Sequence, residues 1–187
     1  MFAPTDAEGN KLKFATLNIN CAKRNRSPFE LTDDIQNFIN TNKIDILSLT
    51  EVDFKTMEEA RDFNIDSFTT YLPDHLSNSG KVRVIMIART ELEKNITKRI
   101  DLMTSDEFPT IWLEVNLPRS PRYLLGTTYR EWGNDDEKSI VSQKNRLATL
   151  EEQFVKATGC AGTVWIGADW NLDANRFEDT SWHLRTV

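Results

Sequence analysis

The sequence has few of the residues that build disulfide frameworks and zinc sites, since its 187 residues include 2 cysteines and 2 histidines. Cys21 and Cys160 lie far apart and form no CxxC pair, so we expect two free thiols in a reducing compartment. A zinc site made of cysteine and histidine lacks ligands at a suitable spacing. Any metal is therefore expected to be a hard cation that carboxylates bind.

Long apolar runs and an excess of positive charge are also absent. No run approaches the ~20 apolar residues that span a bilayer, and the first residues show no secretory signal. The net charge of −6 weighs against a protein that coats nucleic acid by bulk electrostatics. It leaves open an enzyme that binds one phosphodiester locally. Because the sequence shows neither a spanning run nor a signal, we expect an intracellular protein, nuclear or cytoplasmic, with no membrane partner.

The length fits one domain with a sizeable core. Residues 1–10 are polar and predicted to be loose, and residues 11–187 are predicted to form the domain. Hydrophobic patterning predicts strands at residues 11–19, 44–50, 82–88, 96–100, 110–115, 123–129 and 163–166. Helices are predicted at residues 27–42, 56–62 and 136–156 and from about residue 180, with an irregular segment at 63–80 and a helix break at 159–162.

Two stretches, residues 11–51 and 123–169, each follow the order strand, helix, strand and end in an acid. Each fits a βαβ unit, in which parallel strands end at the same edge of a sheet. One edge would then gather Asn18, Asn20 and Glu51, and the other Tyr129, Asp169 and Asn171. If two such sheets pack face to face, these polar residues line one cleft.

Each of these signals also has a plainer interpretation. Asn18 and Asn20 alone are more typical of a turn, and Asp169 alone fits an Asx turn. Glu51 closes a buried strand, where a carboxylate needs water, a cation or a metal. The joint pattern suits phosphodiester hydrolysis, which requires a carboxylate for a metal, a second carboxylate for water, and donors for the phosphate oxygens.

The motifs Leu17-Asn18-Ile19-Asn20, residues 45–51 and residues 167–171 resemble those of the endonuclease/exonuclease/phosphatase superfamily, including its apurinic-endonuclease-like members. Residues 127–132 and 167–173 are similar to the endonuclease domain of non-LTR retrotransposon endonuclease–reverse transcriptase polyproteins. The resemblance covers residues 12–187. It implies an α/β (α+β) fold, a four-layer α/β/β/α sandwich of the DNase I-like type, that nicks DNA with Mg²⁺ or Mn²⁺.

By this resemblance, Glu51 is the main Mg²⁺ ligand, and Asn18 lies beside the metal. Tyr129 donates to the scissile phosphate, Asp169 positions or activates water, and Asn171 holds a phosphate oxygen. Further neighbours or substrate contacts are expected at Asn20, Arg130, Trp132, Trp170, Asp173 and the basic loop residues Lys23, Arg24 and Arg26. The remainder of a reverse transcriptase polyprotein is an expected partner, besides DNA.

Two departures from the family pattern bear on activity. Ala168 separates Gly167 from Asp169, where the family usually has glycine directly before the acid. The family also closes with an Asp-His pair on a late strand, and none follows Asp169 here, so we expect the last strands to be missing and catalysis to be weak. His75 and His183 are expected on the surface, and Trp112 and Trp165 in the core.

Other functions remain open from sequence. The same scaffold serves deadenylases and inositol phosphatases, so RNA or a phosphorylated small molecule is the alternative substrate. A catalytically inactive fragment with a binding or structural role is the alternative outside enzymes.

Overall fold

The computed structural model describes residues 12–20, 28–103, 108–130, 140–160 and 162–169, which form two sheets and the helices around them. The first sheet contains, in spatial order, β1 (Phe14–Asn18), β2 (Ile46–Phe54), β4 (Val82–Arg89) and β3 (Phe68–Tyr71). The second contains β5 (Ile96–Lys98), β6 (Thr110–Val115), β7 (Tyr123–Tyr129) and β8 (Thr163–Asp169). The helices are α1 (Pro28–Asn42), α2 (Met57–Arg61) and α3 (Ile140–Cys160), with short 3-10 helices at Thr90–Asn95 and Ile100–Leu102.

Three separate hydrophobic cores show how these elements are layered. Leu31, Ile35 and Ile39 of α1 pack on the outer face of the first sheet. The inner faces of the two sheets pack on each other, and α3 covers the second sheet, where it contacts Trp112 and Leu124. The order is therefore helix, sheet, sheet, helix, which confirms the predicted four-layer sandwich. None of the helices in the described part of the chain is long and apolar enough to cross a membrane.

The two predicted βαβ units are both present. β1 pairs with β2 in parallel, with Asn18 opposite Thr50, and α1 connects them. β7 pairs with β8 in parallel, with Tyr129 opposite Asp169, and α3 lies between them in sequence. The carboxyl ends of β1 and β2 therefore share one sheet edge, and those of β7 and β8 share another, as the sequence predicted.

Several predicted boundaries are wrong. The last predicted strand runs past Ile166 to Asp169, and the strand predicted to end at Ile100 ends at Lys98. The second strand runs past Glu51 to Phe54 instead of ending at Thr50, because its pairing with β4 resumes after a bulge. The segment predicted to be irregular contains β3, which pairing with β4 stabilises. The long helix continues through Gly159 to Cys160, since nothing in the structure forces that glycine out of the helix.

Most of the other predictions on described residues are confirmed. α1 begins at Pro28, the residue type suited to the first helical position. α2 is capped by the Thr56 side chain, which accepts from the Glu59 backbone amide. Trp112 is buried, Trp165 is half-buried, and His75 is exposed. The predicted loose N-terminus, the helix near residue 180, His183 and Cys21 lie outside the described residues, whereas Cys160 is a free cysteine.

A charge cluster lies on the outer face of the second sheet at the end remote from Tyr129 and Asp169. Asn116 Nδ2 donates to Glu114 Oε1 at 3.0 Å, and Arg99 pairs with the same carboxylate. The hydrogen bond from Asn116, followed by the contact with Arg99, holds the pKa of Glu114 below its usual 4.5, against the opposing effect of burial. The ionised carboxylate therefore stabilises the folded state above that usual value.

We expect Glu114→Gln to lower the free energy of unfolding by ~1–2 kcal/mol at pH 7. The difference should shrink as the pH falls below 4.5 through the lowered pKa, because the wild-type carboxylate then takes up a proton. Urea unfolding at pH 7 and at pH 3 measures both values. Glu151→Gln, at an exposed position on α3, is the control. An equal loss at both pH values would contradict the role given to the charge.

Candidate functional site

The ends of three strands and the bulge in β2 meet where the two sheets face each other. The residues are Asn18 at the end of β1, Glu51 within β2, Tyr129 at the end of β7 and Asp169 at the end of β8. Two hydrogen bonds between side chains connect the sheets here. The structure therefore brings together the side chains that the sequence placed on two separate sheet edges.

The first cross-sheet bond joins Asn18 and Asp169, which are 151 positions apart in sequence. Asn18 Nδ2 donates to Asp169 Oδ2 at 2.6 Å, and Asn18 Oδ1 accepts from the backbone amide of Asn20 at 2.8 Å. Asn20 has a φ of 48°, a left-handed conformation that asparagine tolerates better than most residues. These contacts fix the amide orientation of Asn18.

The second cross-sheet bond joins Tyr129 and Glu51. The Tyr129 hydroxyl donates to Glu51 Oε1 at 3.3 Å, and the tyrosine ring is buried. In this structure the hydroxyl therefore contacts the candidate metal ligand, whereas the resemblance implied a contact with the scissile phosphate.

Glu51 reaches this position because β2 bulges. Between the pairs Thr50–Val84 and Phe54–Val82, β2 advances four positions (54 − 50) while β4 advances two (84 − 82). Glu51 and Asp53 have φ values of 56° and 57°. Such a conformation costs ~1–2 kcal/mol for a residue with a side chain, and strain of this kind clusters at functional sites. The backbone around Glu51 therefore supports a functional hypothesis independently of the sequence motif.

Charged residues flank the Tyr129–Glu51 pair. The Arg83 guanidinium carbon lies 4.2 Å from the centre of the Tyr129 ring, and the same guanidinium forms an ion pair with Asp53. Lys81 Nζ lies 3.7 Å from the other carboxylate oxygen of Asp53. Sequence analysis did not identify these residues. The available signal was Arg83 itself, a charged residue within an apolar strand, where burial requires a partner.

A layer of hydroxyl groups lies between the sheets beneath the site. Ser48 and Thr127 are fully buried and hydrogen-bond to each other across the two sheets. The buried Thr50 hydroxyl has no hydrogen-bond partner in the described part of the chain. A buried unsatisfied group costs ~1–3 kcal/mol, so this hydroxyl suits a water or ligand beside Glu51.

Gly167 allows β8 to approach β1 closely. A Cβ added there would lie 1.8 Å from Thr16 Oγ1 and 3.0 Å from Thr16 Cβ. Gly167 and Asp169 share one face of the strand, while Ala168 projects to the other face. The alanine between the glycine and the acid is therefore compatible with the contact between Asp169 and Asn18.

We expect Gly167→Ala to lower the free energy of unfolding by ~1–3 kcal/mol, because the added methyl group overpacks the contact with Thr16. Thermal or urea unfolding measures this change. Adding Thr16→Ala removes the nearest atom, so the double variant should recover part of the loss. If the losses in unfolding free energy of the two single variants simply add in the double variant, the contact between Gly167 and Thr16 is not the cause.

Among the remaining residues predicted for the site, the structure describes Arg130. The Arg130 backbone amide donates to the Asp169 carbonyl oxygen at 3.0 Å, and its side chain is buried. Asp74-His75, the Asp-His dipeptide of this sequence, lies apart from these residues in an early loop, where Asp74 pairs with Lys98 at 2.7 Å. Outside the described residues lie Lys23, Arg24, Arg26, Trp132, Trp170, Asn171 and Asp173.

The donor set can be compared with the needs of a metal ion. Across the described ranges, no three side chains from histidine, cysteine, aspartate and glutamate gather into a metal-binding group. Mg²⁺ is often bound by one or two carboxylates, with waters and substrate phosphate completing its coordination. Glu51 supplies a carboxylate, and Asn18 Oδ1 keeps a second lone pair. The residues therefore suit a cation held partly by substrate, and do not suit a closed structural site.

Comparisons with solved structures identify the fold. D. rerio TDP2 complexed with a single-strand DNA product is 10% identical, with a TM-score of 0.59 over 89% of this chain and 63% of that one. The AP endonuclease LMAP from Leishmania major is 16% identical, with a TM-score of 0.62 over 86% and 55% of the two chains. A mannosyl-6-phosphatase from Bacteroides thetaiotaomicron is 12% identical, with a TM-score of 0.59 over 88% and 67%.

The chain has the DNase I-like fold that these solved structures share. It spans less than two thirds of the TDP2 and AP endonuclease structures. No protein-family model and no curated protein sequence matches it. At these low identities the likeness shows the fold alone, so the activity has to be argued from the residues.

Proposed function

We propose that this chain is a Mg²⁺-dependent phosphodiesterase that nicks DNA, as part of the endonuclease domain of a retroelement. The observation that carries the proposal is the pair of cross-sheet contacts, Asn18 with Asp169 and Tyr129 with Glu51. They bring two carboxylates, an amide and a phenol from four strands to one place. These are the groups that metal-assisted phosphodiester hydrolysis uses.

Asp169 is proposed to act on the attacking water. Asn18 holds one oxygen of its carboxylate at 2.6 Å, which fixes the carboxylate plane. The oriented carboxylate is then placed to accept a proton from a water aligned with the phosphorus–oxygen bond to be broken.

Glu51 and Asn18 would hold the Mg²⁺. When bound, the cation neutralises charge on a phosphate oxygen and on the leaving oxygen. The Tyr129 hydroxyl contacts Glu51, the proposed metal ligand, so it is placed to donate to a phosphate oxygen bound beside the cation. Asn171, two residues beyond Asp169, would supply a second donor.

DNA is the substrate we favour. Two proteins with this fold are described as a complex with single-strand DNA product and as an AP endonuclease. In this chain, residues 127–132 and 167–173 are similar to retrotransposon endonucleases. The basic residues that follow the first motif, Lys23, Arg24 and Arg26, suit contacts with backbone phosphates.

Hydrolysis of RNA or of a phosphorylated small molecule is the second candidate, and the likeness to a mannosyl-6-phosphatase favours the small molecule. A panel of supercoiled plasmid, adenylated RNA, inositol phosphates and mannose 6-phosphate, each with Mg²⁺ and with EDTA, separates the two. Mg²⁺-dependent conversion of supercoiled to open-circular DNA supports the proposal. Turnover of another substrate with intact plasmid would overturn DNA nicking, and no turnover of any substrate would favour a binding or structural role.

A further inference from the structure

Arg83 is a largely buried charged residue, and the proposed chemistry does not use it. It lies in β4, in a run of apolar residues, and its side chain is 14% exposed. Its partner Asp53 is similarly buried, at 15%. Burying an ion pair brings little net stability and has a high desolvation cost, so such pairs are weak evidence for a stabilising role.

The contacts of Arg83 lead to the candidate site. Its guanidinium stacks over the Tyr129 ring at 4.2 Å, and the Tyr129 hydroxyl donates to Glu51 at 3.3 Å. Asp53 holds the guanidinium from the same bulge that carries Glu51. The order of contacts is thus Asp53, Arg83, Tyr129 and Glu51, and it begins and ends on one strained segment of β2.

We propose that Arg83 is a positioning residue that acts through Tyr129. Held by Asp53, the planar guanidinium fixes the tyrosine ring, which points the hydroxyl at Glu51. A planar cation suits this role, because it can stack on a ring and bind a carboxylate at once. The inference rests on the proposed function, since it assigns Arg83 a part in the same reaction.

The chain offers a matched control in the same strand. Arg89 pairs with Asp45 at 3.0 Å and lies 5.4 Å from the centre of the Phe68 ring. It therefore combines the same two kinds of contact at the other end of β4, away from Glu51. Arg89→Gln should reproduce any general effect of removing a partly buried arginine and no effect specific to the site.

The kinetic experiment is a double-mutant cycle on Mg²⁺-dependent plasmid nicking. Arg83→Gln should lower kcat by ~10–100-fold, the range typical of residues that orient metal ligands, with a smaller change in KM. In a Tyr129→Phe background, which lacks the hydroxyl, the same substitution should cost less than about threefold. Arg83→Lys, which keeps the charge, should recover part of kcat. An equal loss in both backgrounds, or an equal loss from Arg89→Gln, overturns the inference.

A second measurement does not depend on activity. The 3 tyrosines can be labelled with ¹³C in the ring, and Tyr129→Phe assigns the Tyr129 signal by NMR. Arg83→Gln should shift this signal, and Arg89→Gln should leave it unchanged. An unmoved signal overturns the inference even if the wild type cleaves DNA. If the wild type cleaves no substrate but Arg83→Gln still shifts the Tyr129 signal, the proposed function is refuted instead.

Discussion

Asp169→Asn is expected to lower the rate of Mg²⁺-dependent cleavage by ~10²–10⁴-fold, the contribution typical of a positioned general base. The side chain keeps its shape, so it can still accept the hydrogen bond from Asn18 through its amide oxygen. It loses the ability to take up a proton from water. Initial rates of plasmid nicking at saturating DNA measure the effect.

Two further variants test the interpretation of Asp169. Asn18→Ala should also lower kcat, because it removes the 2.6 Å hydrogen bond that orients the carboxylate. Asp66→Asn, at an exposed position before β3, should leave the rate unchanged. Urea unfolding should show Asp169→Asn folded at the assay temperature. An Asp169→Asn protein with near wild-type kcat would remove Asp169 from the reaction.

Gly126→Ala is expected to lower the free energy of unfolding by ~3 kcal/mol, at the upper end of the usual cost of overpacking a core. Gly126 lies opposite Trp112 in the pairing of β6 with β7. A Cβ there would lie 2.5 Å from Trp112 Cζ3, and the ring is fully buried. The ring or the strand must therefore move. Equilibrium urea denaturation followed by far-UV circular dichroism measures the loss.

A second glycine provides a control of opposite sign. A Cβ on Gly159 meets nothing within 4 Å, and this residue lies near the end of α3. Gly159→Ala should therefore stabilise the protein by ~0.5–1 kcal/mol, since alanine loses less backbone entropy in a helix. Combining Gly126→Ala with Trp112→Leu should cost less than the two single losses added together. Additive losses would show that the contact with the ring is not the cause.

The parts of the fold that the sequence predicted are those with local signals. A nearly continuous apolar run indicated β4, and the order strand, helix, strand indicated both parallel pairs. β3 was missed because its residues, Phe68–Tyr71, follow a polar segment and are stabilised by pairing with β4. The end of β2 was misplaced because the bulge depends on its pairing with β4, which no local pattern encodes.

The candidate site was likewise predicted only in part. Parallel topology alone predicts that Asn18 and Glu51 share an edge, as do Tyr129 and Asp169. The packing of the sheets then brings the two edges together, which the hydrogen bond from Asn18 to Asp169 shows. Arg83 was not identified, because its contacts are with Asp53 and Tyr129, residues distant in sequence.

We propose that this cleft hydrolyses phosphodiesters with a cation held at Glu51. The most direct measurement is the rate of plasmid nicking by the wild type and by Glu51→Gln across a series of Mg²⁺ concentrations. We expect EDTA to stop the wild type and Glu51→Gln to be ~100-fold slower or more, because even outer partners of metal ligands contribute 10–100-fold. Higher Mg²⁺ should recover part of that loss. Nicking that continues in EDTA, or that Glu51→Gln leaves unchanged, would contradict the claim.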